Sequence, residues 1–79
     1  MMTCLFVQIQ CRPGTTYKVA DEIALREFHS ELYSTSGQYE LLMKLYVPED
    51  EDVGKYINAK LMDIDGIERT FTTLTFKAF

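Results

Sequence analysis

The chain has 79 residues, of which 47% are apolar and 13% aromatic, and its eight Lys and Arg against twelve Asp and Glu leave a net charge of -4. At this length folding hides only about 60% of the surface that the unfolded chain exposes. One domain over residues 1–79 therefore has a marginal core and more apolar residues than that core needs, which predicts self-association.

The charge pattern narrows the function further. The cations are scattered, with no cluster able to neutralise several phosphates together, so direct nucleic-acid binding is not expected. No stretch approaches the roughly 20 apolar residues of a membrane span, and no basic region followed by an apolar segment opens the chain. A soluble, cytoplasmic protein is the expectation. Cys4 and Cys11 lie seven apart on one strand and so point to opposite faces, where they can neither bridge nor share a metal.

The first element is a half-buried strand with Leu5, Val7, Ile9 and Cys11 on one face and Phe6, Gln8 and Gln10 on the other. Arg12-Pro13-Gly14-Thr15 ends it, and Thr15 or Thr16 caps a helix whose apolar stripe is Tyr17, Ala20, Ile23 and Ala24. The chain reads as extended again from about Glu27 to Ser34, turns at Ser36 and Gly37, and returns through Tyr39, Leu41, Met43, Leu45 and Val47 until Pro48 stops it. That second alternation is the most regular in the chain and marks a central strand.

Glu49-Asp50-Glu51-Asp52 reads as the start of a helix, since acidic side chains there meet the positive end of the helix dipole and supply the cap. Val53, Ile57, Leu61 and Ile64 form its core stripe and Gly66 closes it. A last strand runs from Ile67 to about Lys77, with its apolar residues changing parity between Phe71 and Leu74. A bulge near Thr72 or Thr73, or burial of both faces, explains the change. The order βαββαβ specifies an α+β, ferredoxin-like antiparallel sheet with two helices on one face. The bare face is too greasy for solvent, so a second sheet packed against it, making a dimeric α/β barrel, is expected.

Catalytic apparatus is hard to find. His29 is the sole histidine and reads as a solvated or edge residue, and no Cys-x-x-Cys, paired histidines or close-set carboxylates outside the helix start offer a metal site. No catalytic residue, metal ligand or cofactor is assigned. Most of the five tyrosines read as packing or interface residues, with Tyr39 set apart by its place between Gly37 and Glu40 at a turn. Thr70, Thr72, Thr73 and Thr75 suit the solvent face of a strand.

Three segments taken together carry more. Cys4 to Gly14 (Cys-Leu-Phe-Val-Gln-Ile-Gln-Cys-Arg-Pro-Gly), Ser36 to Lys44 (Ser-Gly-Gln-Tyr-Glu-Leu-Leu-Met-Lys) and Asp65 to Thr72 (Asp-Gly-Ile-Glu-Arg-Thr-Phe-Thr) resemble, in order and spacing, the effector-binding (RAM) domain of the Lrp/AsnC transcription regulators. Ser36, Glu40 and Asp65 stand where that family usually has Thr, Asp and Pro. The resemblance implies a non-enzymatic sensor that binds an amino acid or related metabolite at an oligomer interface and modulates transcription. It implies a homodimer, an octamer built as a tetramer of dimers, and co-assembly with a full-length Lrp/AsnC regulator, the helix-turn-helix domain of the family having no counterpart in these residues. The ligand-binding set it implies is Gly37, Gln38, Tyr39, Glu40, Tyr56, Thr70 and Thr72. An ACT-like amino-acid-binding module shares the topology, and a cofactor-free monooxygenase or isomerase of the dimeric α/β barrel type would have only His29 and Asn58 to work with.

Overall fold

Strand β1 (Met2–Cys11) is the spine of the molecule, pairing antiparallel with β3 (Leu41–Pro48) on one side and β4 (Ile67–Leu74) on the other. The computed structural model describes residues 1–79, and its sheet runs β2-β3-β1-β4, with β2 spanning Glu31–Ser34. Helices α1 (Thr16–Arg26) and α2 (Val53–Leu61) complete the order βαββαβ. The ferredoxin-like α+β topology expected from the sequence is the one observed.

Alternation along the strands decides which face is covered. Leu5, Val7 and Ile9 lie opposite Leu45, Met43 and Leu41, and all six are buried against the helices. Val19 and Ile23 of α1 and Ile57 and Leu61 of α2 close the same cluster, so both helices sit on one side of the sheet. Each fully buried aliphatic side chain contributes about 1.5–3 kcal/mol. Asp52 caps α2 by accepting from the Lys55 N–H at 3.0 Å, as the acidic run predicts. At the other end, the Arg26 guanidinium donates to the Lys60 carbonyl and to Asp63, and so ties the last turn of α1 to the end of α2.

Several details differ from the sequence reading. In α1 the buried residues are Val19 and Ile23, while Tyr17 is 73% exposed and Ala24 is also on the solvent side. Thr15 stands at the helix start, but its hydroxyl donates to the Arg12 carbonyl instead of accepting from a helix amide. Strand β2 begins at Glu31 and not at Glu27, because Glu27 takes a left-handed φ of 56° as it terminates α1. Phe28 still packs against the core from the intervening turn.

A further difference concerns β4. Cys11 pairs with Ile67 and Gln10 with Arg69, so the extra residue is Glu68, at the start of the strand and not near Thr72 or Thr73. Beyond it, Thr70, Thr72 and Leu74 pair with Ile9, Val7 and Leu5 on the helix side, and Phe71 and Thr73 fall on the open side. The parity change is therefore real and needs no bulge of its own. Phe71 and Leu74 simply face opposite ways, and each remains about half exposed on an edge strand.

Gly66 holds the two halves together. It adopts φ +107°, its carbonyl accepts from the Arg12 N–H at 2.8 Å, and a Cβ there would sit 2.9 Å from both Thr15 Oγ1 and Val19 Cγ2. Backbone strain and overpacking against the buried Val19 both oppose a side chain. Gly66→Ala should cost at least about 2 kcal/mol and lower Tm by about 10 °C, measured by thermal unfolding. A Tm equal to that of the wild type would show that the loop can move away from α1.

Candidate functional site

The hairpin between β2 and β3 is closed by its own backbone and by one hydroxyl. The Thr35 N–H donates to the Glu40 carbonyl and Thr35 Oγ1 to the Tyr39 carbonyl, each at 2.8 Å. This leaves Gly37, with φ +99°, and Gln38 as an exposed tip. Positive φ is what the glycine supplies there.

Tyr39 and Glu40 leave the tip in different directions. The Tyr39 ring lies 6.4 Å from the Phe71 ring, centre to centre, on the open face of the sheet. Glu40 reaches the end of β1, where Oε1 accepts from the Cys11 N–H at 2.7 Å. That amide lies where the register between β1 and β4 slips, so the carboxylate supplies a partner at the end of the strand. Its second oxygen takes no donor from the chain. Burial, reinforced by the Glu40 charge, pushes the Cys11 thiol up against an opposing hydrogen bond from Thr16, which keeps it protonated near neutral pH and unsuited to thiolate chemistry.

The remaining predicted residues stand elsewhere. Thr70 and Thr72 point to the helix side of β4. Tyr56 is on α2, partly buried against the core, with Lys60 Nζ 5.3 Å from its ring centre. A single chain therefore brings Gly37, Gln38, Tyr39 and Glu40 together at one corner. The sheet separates Tyr39 from Thr70, Thr72 and Tyr56. Phe71, which the Thr-rich pattern masks, is the residue that joins the hairpin to the open face. Only the three-strand register reveals it, through Gln8 paired with both Leu42 and Phe71.

His29 lies in the turn before β2, half-buried, with Nδ1 shielded from solvent and without a hydrogen-bond partner. Of the two options in the sequence reading, solvated or edge, the buried Nδ1 rules out the first, while the residue precedes the edge strand β2 without lying on it. No group of three or more His, Cys, Asp or Glu side chains converges in the fold, and no helix is long and apolar enough to cross a membrane.

The chain is a βαββαβ domain with a polar hairpin tip at one corner of its sheet and one open, aromatic-bearing face. The model of the Lrp/AsnC ligand-binding domain matches residues 4–79, and the chain belongs to that family. An HTH-type transcriptional regulator of Pyrococcus furiosus, PF0250, is 35% identical over 77 residues, covering 94% of this chain and 51% of the regulator. LrpA of Pyrococcus abyssi is 30% identical over 61 residues, 77% of this chain and 43% of LrpA. The chain thus spans about half the length of the relatives it matches. Among solved structures, TTHA0845 from Thermus thermophilus superposes with a TM-score of 0.87 at 28% identity, covering 99% of this chain and 98% of that one. The regulator NMB0573 of Neisseria meningitidis, solved in complex with L-Met, shares the fold with a TM-score of 0.81 at 10% identity, over 95% of this chain and 50% of its own.

The Glu40–Cys11 bond separates two roles of one carboxylate. Glu40→Ala should destabilise the fold by about 1–3 kcal/mol by leaving the Cys11 N–H without its acceptor, whereas Glu40→Gln keeps an oxygen there and should cost less than about 1 kcal/mol. Urea unfolding of the two variants checks this. Equal, wild-type stability for both would show that the bond carries no weight.

Proposed function

We propose that this domain is a non-enzymatic sensor that binds a small amino-acid-like ligand at an interface between copies of the chain and relays its presence to the transcription regulators with which it assembles. Membership of the Lrp/AsnC ligand-binding family supports the class of function, and the L-Met complex of NMB0573 supports the class of ligand. The observation that carries the reading is the division of the candidate residues between two faces. Tyr39 lies on the open side and Thr70 and Thr72 on the helix side, a separation that favours their meeting one small molecule from different copies.

The chemistry at the hairpin fits a zwitterion. The exposed N–H groups of Gly37 and Gln38 suit a carboxylate, and the second oxygen of Glu40 suits an ammonium. Thr70 and Thr72 of another copy supply hydroxyls that accept from the same ammonium. Assembly itself follows from the open face, where Phe6, Leu42, Tyr46 and Phe71 have no helix to cover them. A second sheet laid on that face makes the dimeric α/β barrel, and further association of dimers, up to an octamer, brings the hairpins of neighbours together. Co-assembly with a full-length Lrp/AsnC regulator uses the same surfaces.

Light scattering combined with a thermal-shift screen of the proteinogenic amino acids tests the proposal. The chain should run as a dimer or larger at micromolar concentration, and at least one amino acid should raise Tm, since ligand at 100 times Kd stabilises the folded state by about 2.7 kcal/mol. A monomer that no amino acid stabilises would contradict it.

A further inference from the structure

Beyond Leu74 the chain leaves its own sheet. Thr75 is the last residue tied to β1, its N–H and hydroxyl both donating to the Cys4 carbonyl, at 3.3 and 2.7 Å, and residues 76–79 form no backbone hydrogen bond. Phe76 is 97% exposed and Lys77 forms no ion pair. At the opposite border of the sheet, β2 is a short edge strand with nothing paired beyond it. We propose that these two features meet across copies: Leu74–Lys77 of one chain adds antiparallel to β2 of a second, forming the two seams that close the dimer into a barrel. The seam rests on the sheet-on-sheet packing proposed above and supplies the segment and the register that complete it.

Backbone parity decides which groups can pair. Because Thr75 directs its N–H to β1, Leu74 and Phe76 direct theirs away from it. On β2 the Thr35 N–H is donated to the Glu40 carbonyl, so Tyr33 also faces β3, while Leu32 and Ser34 turn outward. A two-fold axis along the strands sets β4 of one copy beside β2 of the other in the antiparallel sense. Backbone hydrogen bonds then join Ser34 to Leu74 and Leu32 to Phe76, with Tyr33 opposite Thr75 and Glu31 opposite Lys77. Phe76 covers Leu32 on the helix side. Inside the barrel Lys77 meets the Glu31 carboxylate, whose Oε2 otherwise has only a 3.4 Å contact with Lys44.

The stagger of a closed barrel selects the same register. Within one chain Glu31, Lys44, Phe6 and Thr73 stand abreast across the sheet. Pairing Glu31 with Lys77 in place of Thr73 shifts each seam by four residues and the two seams together by eight. Eight residues at about 3.4 Å, over eight strands about 4.8 Å apart, tilt the strands by about 35°, within the range at which barrels close. The adjacent registers that parity allows, two residues either way at each seam, give about 20° and about 47°, and they break the Glu31–Lys77 and Leu32–Phe76 pairs. The chosen register also carries Ser36 and Gln38 of one copy up to Thr72 and Thr70 of the other, so both halves of the proposed ligand site stand along one seam.

Disulfide trapping tests the seam. Opposed residues between hydrogen-bonded pairs have Cα atoms about 4.5 Å apart, within disulfide reach, whereas inside one chain Glu31 and Lys77 are three strand spacings apart, about 14 Å. In a Cys4→Ser background the Glu31→Cys/Lys77→Cys chain should oxidise to a covalent dimer on non-reducing gels, and the Glu31→Cys/Thr73→Cys chain should not. Phe76→Asp leaves the single-chain core untouched and should raise the dimer dissociation constant at least about tenfold in dilution light scattering, with an unchanged far-ultraviolet spectrum. For a dimeric wild type, no covalent dimer from Glu31→Cys/Lys77→Cys, trapping through Thr73→Cys instead, a covalent ladder of larger oligomers, or an unweakened Phe76→Asp dimer would each overturn the seam and leave the sheet packing standing. A monomeric wild type would overturn both.

Discussion

Two helices of nine and eleven residues cover only one face of this four-stranded sheet and leave the other open. The covered side is closed by Leu5, Val7, Ile9, Leu41, Met43, Leu45 and Val47, all buried and all from the two central strands. The other side carries Phe6, Leu42, Tyr46 and Phe71 interspersed with Gln8, Lys44 and Thr73. Such a face is too apolar to remain wet and too polar for a dry core. It suits a contact between sheets, the assembly proposed above.

The corners of the sheet are set by a few local contacts. The hairpin tip is exposed because Thr35 folds it shut with two hydrogen bonds, and it is positioned because Glu40 anchors it to the end of β1. One carboxylate thus ends a ladder with one oxygen and leaves the other without a donor from the chain. Across the sheet, the extra residue at Glu68 resets β4 so that Thr70 and Thr72 face the helix side and Phe71 meets Tyr39. Without that residue the threonines and the phenylalanine would exchange faces.

Most of the fold was legible in the sequence because its strongest signals are local. The alternation from Leu41 to Val47 and the stripe Val53, Ile57, Leu61 and Ile64 each report burial directly, and Asp52 caps the helix that its charge announces. The errors arose where a tertiary contact outweighs local pattern. Tyr17 has the right spacing for the core, yet Val19 takes that place beside Gly66. Glu27 looks like the start of a strand until its left-handed φ is known. The shift at Glu68 is invisible because apolar residues on both faces of an edge strand mimic a bulge elsewhere. The candidate residues could be named from the resemblance, but their separation onto two faces could not, since it depends on pairing β4 through β1 to β3.

The central claim is that a ligand site is shared between copies, with the hairpin from one and the threonines from another. Complementation tests this most directly. Glu40→Gln chains and Thr70→Val/Thr72→Val chains each lack one half of the site, so each alone should bind the amino acid found by screening weakly. Calorimetry on an equimolar, co-refolded mixture should recover a fraction of sites with wild-type affinity, formed where intact halves meet. If the mixture binds no better than either variant alone, while light scattering shows that mixed oligomers have formed, both halves belong to one chain and the account is wrong.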